Sequence, residues 1–333
     1  MQITVKYILL LLVFGLFIMF AWFFWGNPKR PEKMHWGVNF SFKQAVFLEL
    51  DPREIYLAIL DDLKAKNIKI SVYWDLIQPE DKAYDFNELD WQVEQAQNRK
   101  VDLILAVGMK TPRWPECHVP QWAMNLNKEQ QQEKILEYLQ TIVLRYKNSS
   151  ALSVWQVENE PFLKFGACPW SDEAFLKKEV ALVKKLDPSR PILITDSGEM
   201  STWTRAAQIG DIVGFTTYRT VWQDQFKFYF SYSPWITPMC YYRRAETVQN
   251  VYKKKVIGVE LQAEPWCPNS VMRTDIADQQ KTMSLDQFKS SVEFAKSTGI
   301  DTYYLWGAEW WYWMKTKQDH PEYWQEAKKI IFE

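Results

Sequence analysis

No glycine-rich phosphate loop follows the first expected strand, and the chain holds only 11 glycines in 333 residues. A doubly wound nucleotide-binding sheet depends on such a loop, so its absence weakens that fold. Histidine is scarcer still. His35, His118 and His320 show no ligand spacing, and Cys117-His118 is half a metal site with no second cluster to complete it. No metal and no cofactor are therefore expected. Neither sign of charge is in excess: 40 Lys and Arg against 41 Asp and Glu leave a formal net charge of −1. That gives no electrostatic footprint for a polyanion, so no nucleic-acid partner is expected.

Aromatic residues are plentiful, at 16% of the chain with 18 Trp. A core takes up some of them, but Trp is rarely fully buried, so this excess implies exposed stacking surfaces. Flat sugar faces pack well on such rings, which points to a carbohydrate partner. Near the N-terminus, Tyr7 to Gly26 is an uncharged apolar run of 20 residues. That length spans a bilayer, and Trp22 and Trp25 sit where an interfacial belt would place them. A cleavable signal peptide competes, but Phe20-Ala-Trp-Phe-Phe-Trp25 offers no small-residue cleavage site. The reading is a transmembrane anchor over 1–26, a tether over 27–35 and one domain over 36–333. Lys29, Arg30 and Lys33 follow the run, and by the positive-inside rule alone they would hold the domain in the cytoplasm. A carbohydrate partner argues instead for an extracytoplasmic domain.

From residue 36 onward, strands and helices alternate. Expected strands are Trp36 to Ser41, Ile68 to Trp74, Val101 to Val107, Ala151 to Val157, Pro191 to Thr195, Asp211 to Tyr218, Lys255 to Glu260 and Thr302 to Trp306. Helices are expected after Asp51-Pro52, with Asp as N-cap and Pro in the first turn, and over 88–99, 128–146, 172–186, 201–207, 245–252, 284–297 and 321–330. Residues 221–242 read as one long irregular segment. Eight strands alternating with helices imply an α/β fold, a parallel (β/α)8 TIM barrel.

Two of these strands end in carboxylates. The fourth runs into Glu158-Asn159-Glu160-Pro161, and the seventh ends at Glu260, followed by Leu-Gln-Ala-Glu264-Pro265. Strand tips at the C-terminal face of a barrel form its active site, and strands four and seven face each other across the mouth. Asn-Glu-Pro after a Trp-containing strand, with a Glu-tipped strand about a hundred residues on, resembles the clan A glycoside hydrolases. These are (β/α)8-barrel enzymes of the retaining type. Residues 74–80 and 84–90 resemble the clan's second strand-loop-helix unit. The resemblance implies that Glu160 is the general acid/base, that Glu260 is the nucleophile and that Asn159 binds the sugar 2-hydroxyl. It also implies that Tyr218 contacts the nucleophile and that Trp306 forms the platform under the cleaved sugar.

Glu264 is a rival nucleophile by side-chain parity, although Pro265 suggests that the strand has already ended. Glu158, two residues before Glu160, is a further sugar-ligand candidate. Lys110, Trp114, Trp170, Trp222 and Trp266 lie just past strand tips and are candidates to line subsites. One departure stands out: where the clan carries an Arg on strand two, the best counterpart here is Lys69, which keeps the charge but loses the planar fork. A transglycosylase with the same carboxylates, or an inactive carbohydrate-binding envelope protein, remains the alternative to a hydrolase of β-glycosidic bonds. Cys117, Cys168, Cys240 and Cys267 fall in loops after strands three, four, six and seven. Chain order around a barrel then favours Cys117–Cys168 and Cys240–Cys267 as disulfides in an oxidising compartment.

Overall fold

The computed structural model describes residues 22–332 and, before them, residues 7, 10, 13–15, 18 and 19. In chain order the strands are β1 (His35–Phe40), β2 (Asn67–Ser71), β3 (Asp102–Val107), β4 (Leu152–Val157), β5 (Ile192–Asp196), β6 (Ile212–Thr217), β7 (Thr220–Gln223), β8 (Phe228–Ser231), β9 (Lys255–Gln262) and β10 (Thr302–Trp306). Among the described residues, all but β7 and β8 form one closed parallel barrel in the order β1-β10-β9-β6-β5-β4-β3-β2. Trp36 opposite Tyr303 and Val38 opposite Leu305 close the ring.

Side chains alternate along each strand, so every second residue faces the lumen. The lower lumen is apolar, where Ile104, Leu193, Ile257, Val259 and Tyr304 pack together. Two residues further along the strands the inward positions become polar, at Gln156 on β4 and Thr195 on β5, both fully buried. Gly37 leaves room for this core: a Cβ there would meet the Tyr304 ring at 2.4 Å. The opposite faces of the strands pack beneath the helices, where Trp155 is fully buried and its Nε1 donates to Asp187 Oδ2 at 3.0 Å. The helices start where the sequence marks them. Asn127 and Gln130 form a capping box on Lys128–Tyr146, Asp172 caps Glu173–Leu186, and Ser284 with Gln287 caps Leu285–Ser297.

The structure departs from the sequence reading in several places. The segment expected to be irregular holds the antiparallel hairpin β7–β8, and the helix Pro238–Thr247 begins inside it. That helix runs into a π turn, Val248–Tyr252, whereas the sequence suggested a single helix over 245–252. The helix expected over 201–207 lies at Thr204–Ile209. The helix Ala308–Lys317 was not anticipated, because it is buried from Ala308 through Met314 and has no polar face to reveal its period.

The expected anchor over 1–26 falls largely outside the described residues. Among those that are described, no helix is long and apolar enough to cross a membrane. The expected tether lies against the barrel, where Arg30 bonds Glu293 at 3.0 Å; near the end of the expected anchor, the Phe24 carbonyl accepts from Thr237 Oγ1 at 3.0 Å.

Cys117 and Cys168 form a disulfide spanning 51 residues. The second expected bridge is absent, since Cys240 and Cys267 are both free. Cys240 belongs to the helix Pro238–Thr247 and is buried there, not on a loop beside Cys267. Thiol titration of denatured, unreduced protein should therefore count two thiols per chain; a count of zero or four would contradict this arrangement. Cys168→Ser should lower stability by roughly 2–4 kcal/mol in denaturant unfolding, the usual worth of a crosslink that constrains the unfolded chain.

Candidate active site

β4 ends at Val157, and the chain then takes left-handed conformations at Glu158 (φ 58°) and Glu160 (φ 40°). Such conformations are unfavourable for residues with side chains and persist only where neighbours enforce them. Here the enforcement is dense. The Glu158 carboxylate accepts from the backbone N–H of Met109 at 2.7 Å and of Lys110 at 2.8 Å. Gly108 (φ 124°) makes this possible, because a Cβ there would stand 2.3 Å from Glu158 Oε1. Lys110 Nζ donates to the carbonyls of Glu160 at 3.0 Å and Leu163 at 2.9 Å. Glu160 N–H donates to Thr195 Oγ1 at 2.8 Å. Glu158 and Lys110, both sugar-ligand candidates in the sequence, therefore brace the strand tip. The parity argument for Glu158 fails because the strand has ended before it.

On the opposite side, β9 pairs with β6 through a bulge: Phe215 faces Gly258, but Thr216 faces Glu260. Bulges next to active sites re-aim side chains. Lys69 on β2 donates from Nζ to Glu260 Oε1 at 2.8 Å across the lumen, in an ion pair that is almost wholly buried. Tyr218 OH donates to Glu260 Oε2 at 2.8 Å. Tyr218 is in turn held by Glu199, whose Oε1 accepts from the Tyr218 N–H at 2.9 Å and from Tyr241 OH at 2.7 Å.

Glu160 is placed differently. Its Oε1 accepts from Thr216 Oγ1 at 2.9 Å, a neutral donor. Burial first, then the charges of Glu260 and Glu116, push its carboxyl up to about 8. One carboxyl is thus paired with a cation, while its neighbour keeps its proton to higher pH.

The rival Glu264 is engaged elsewhere. Its carboxylate accepts from Arg113 Nη1 and Nη2 and from the Trp306 Nε1–H, the last at 2.9 Å. Arg113 also donates to Glu309 at 3.0 Å and stacks 4.0 Å above the Trp306 ring. Trp306 is therefore fixed edge and face at the end of β10. Neutral His118 accepts from Lys43 at Nδ1 and donates from Nε2 to the Arg113 carbonyl, and burial holds its pKa down to about 3.

A cleft of about 280 Å³ is lined among others by Arg113, Trp114, Glu116, Tyr218, Glu264 and Trp306; Glu160 and Glu260 are not among its lining residues. Trp114 is 70% exposed at its edge, and Trp266 packs edge-on to Tyr218 at 5.1 Å. Trp170 lines a separate cavity behind the disulfide, and Trp222 lies on the hairpin strand β7. Asn159 does not point freely into the cleft, because its Nδ2 donates to Glu116 Oε2 at 3.1 Å. The sequence reading passed over Arg113, Glu116, Thr216 and Glu309. Glu116 had one available signal, its place beside Cys117 in a loop at the catalytic end of the barrel. Arg113 and Glu309 had none, since their pairing joins residues 196 positions apart.

The sequence model for the family described as Cellulase (glycosyl hydrolase family 5) matches residues 37–226. A probable mannan endo-1,4-beta-mannosidase A from Aspergillus niger is 38% identical over 65 residues, a segment covering 18% of this chain and 16% of the relative. Among solved structures, native xylanase 10B from Thermotoga maritima superposes with a TM-score of 0.58 at 14% identity, over 90% of this chain and 97% of that one. The beta-galactosidase of the Antarctic haloarchaeon Halorubrum lacusprofundi gives 0.57 at 14% identity over 82% of this chain, which spans only about half (52%) of the galactosidase. At these identities the superpositions establish the shared barrel fold.

Burial is the leading cause that raises Glu116, Glu199 and Glu309 to about 7, as it raises Glu160 to about 8, against a reference of 4.5. Each folded carboxyl holds its proton to higher pH than the unfolded one. Between about pH 4.5 and 7–8 the native state thus binds more protons, and stability falls as pH rises through that window. Tm by calorimetry should be several degrees lower at pH 8 than at pH 5. A flat or rising Tm over that interval would mean these carboxyls are not protonated in the native state.

Proposed function

The chain belongs to glycosyl hydrolase family 5, and from that premise we propose that it cleaves β-glycosidic bonds in oligo- or polysaccharides with retention of anomeric configuration. The carrying observation is the unequal environment of two carboxyls at one barrel mouth: Glu260 bonded to Lys69 and Tyr218, Glu160 buried and bonded to the neutral Thr216 hydroxyl. In this reading Glu260 attacks the anomeric carbon while Glu160 gives its proton to the departing oxygen. The glycosidic C–O bond breaks, an ester to Glu260 forms, and the alcohol leaves. Esterification removes the Glu260 charge, one of the causes that keep Glu160 protonated. Glu160 then takes a proton from water, whose oxygen displaces Glu260 and regenerates both groups. The β-linkage is supported by the names of the mannosidase and the galactosidase to which the chain is similar.

The membrane anchor and the extracytoplasmic placement of the barrel belong to the same proposal. The uncharged run of Tyr7 to Gly26 and the Cys117–Cys168 disulfide support them. Full-length protein in native membranes should stay in the pellet through an alkaline carbonate wash, and its release would remove the anchor.

The roles of the two carboxyls are separable. Glu260→Ala should abolish turnover of aryl β-glycosides, with partial rescue by azide to give the α-glycosyl azide. Glu160→Ala should lose about 10²–10⁴-fold on substrates with poor leaving groups. It should lose far less on dinitrophenyl glycosides, which need no proton, and azide should there give the β-azide. A first-formed sugar of inverted configuration by NMR would rule out the double displacement.

A further inference from the structure

Glu116 is a buried carboxyl at the catalytic mouth to which the hydrolytic scheme assigns no task. It is 6% exposed and forms part of the cleft wall. Its charge is among the causes that raise Glu160, and the charge of Glu260 is among those that raise Glu116, so the three carboxyls share one small volume. Among the described residues its side chain makes one hydrogen bond, from Asn159 Nδ2, and no ion pair. The two nearby lysines are engaged elsewhere, Lys69 with Glu260 and Lys110 with two backbone carbonyls.

The placement is built into the loop. Cys117, the next residue, is crosslinked to Cys168, and Thr111 N–H donates to the Glu116 carbonyl at 2.9 Å. Gly166 packs so closely that a Cβ there would stand 2.5 Å from Glu116 Cβ. A carboxyl fixed this firmly has no ion pair of its own: the charges of Lys110 and Lys69 act on it only from a distance, and burial raises it to about 7. A cationic group on a ligand would supply the contact charge and favour its ionised form.

Asn159 indicates which part of the ligand. In the glycosidase reading, on which this inference rests, the Asn159 amide meets the substituent at C2 of the sugar being cleaved. Glu116 Oε2 lies 3.1 Å from Asn159 Nδ2, so a C2 substituent that meets the amide comes close to the carboxyl. We propose that Glu116 is a specificity residue that accepts a hydrogen bond from the C2 substituent and favours a 2-amino sugar over its 2-hydroxy counterpart. A hydroxyl can offer one neutral hydrogen bond. An ammonium supplies the contact charge as well, and charge-assisted bonds are about twice as strong as neutral ones. A 2-acetamido group is disfavoured, because it is bulkier and carries a carbonyl that would face the carboxylate.

The test compares kcat/KM of wild type and Glu116→Gln on dinitrophenyl β-glycosides that differ only at C2, bearing hydroxyl, amino or acetamido groups. The variant keeps the size of the side chain and its carbonyl acceptor for Asn159. The amino-to-hydroxyl ratio should fall roughly tenfold in Glu116→Gln, the difference between a charged and a neutral hydrogen bond. A residue that only braced Asn159 would lower both rates together, so an unchanged ratio overturns the proposal while leaving the glycosidase reading intact. Calorimetric binding of cellobiose and of its 2-amino counterpart to both proteins reads the same ratio without turnover. If wild type cleaves none of the glycosides, the glycosidase reading fails. The binding ratio then decides the C2 preference by itself, supporting it if Glu116→Gln lowers the ratio and overturning it if not.

Discussion

The Lys69–Glu260 ion pair is the interaction on which the barrel mouth depends. Both groups are almost wholly buried inside the lumen, where an unpaired charge costs several kcal/mol. Once Lys69 holds Glu260 Oε1, the remaining oxygen is left for Tyr218, and Tyr218 is held by Glu199 and Tyr241. The negative charge fixed at Glu260 then contributes to keeping Glu160 protonated. An arginine, with its planar fork, could take both carboxylate oxygens. Lysine is a point charge that engages one, and the tyrosine completes the set.

Around this pair the loops are shaped by backbone requirements as much as by sugar recognition. The tip of β4 needs two left-handed residues in three positions to turn Glu160 toward the lumen. The Glu158 carboxylate and the Lys110 ammonium satisfy backbone donors and acceptors that this turn would otherwise leave open. The disulfide joins the loops after β3 and β4, the two segments that carry Glu116 and Glu160. A site with this many buried carboxyls gives up stability at neutral pH in exchange for tuned acidity, the trade expected where local rules are broken for function.

A second charged layer lies above the first. Arg113 gathers Glu264 and Glu309 and lies flat on Trp306. Removing the guanidinium would take from Glu264 and Glu309 the donor they share, so this layer holds together as a unit. It fixes the indole ring at the end of β10 and closes one wall of the cleft.

Much of this was legible without coordinates. The alternation of apolar strands with capped helices implied the barrel, because each pattern has its own period and its own start signals. That Glu160 and Glu260 would lie near one another was legible because strand ends in a parallel barrel converge on one face. Tertiary structure alone decided the rest. Cys240 and Cys267 could be paired on paper, but the helix starting at Pro238 takes Cys240 out of the loops. Glu158 and Glu160 differ by two residues, yet the left-handed turn sends one to a backbone clamp and the other to the lumen. The resemblance already pointed to Lys69 as a partner of Glu260, but the partners Arg113–Glu309 and Asn159–Glu116 lie 196 and 43 positions apart and had no such pointer. A single sequence records which groups exist and the local periods they follow; which buried charge meets which depends on barrel closure and on the bulge in β9, and neither leaves a local signal.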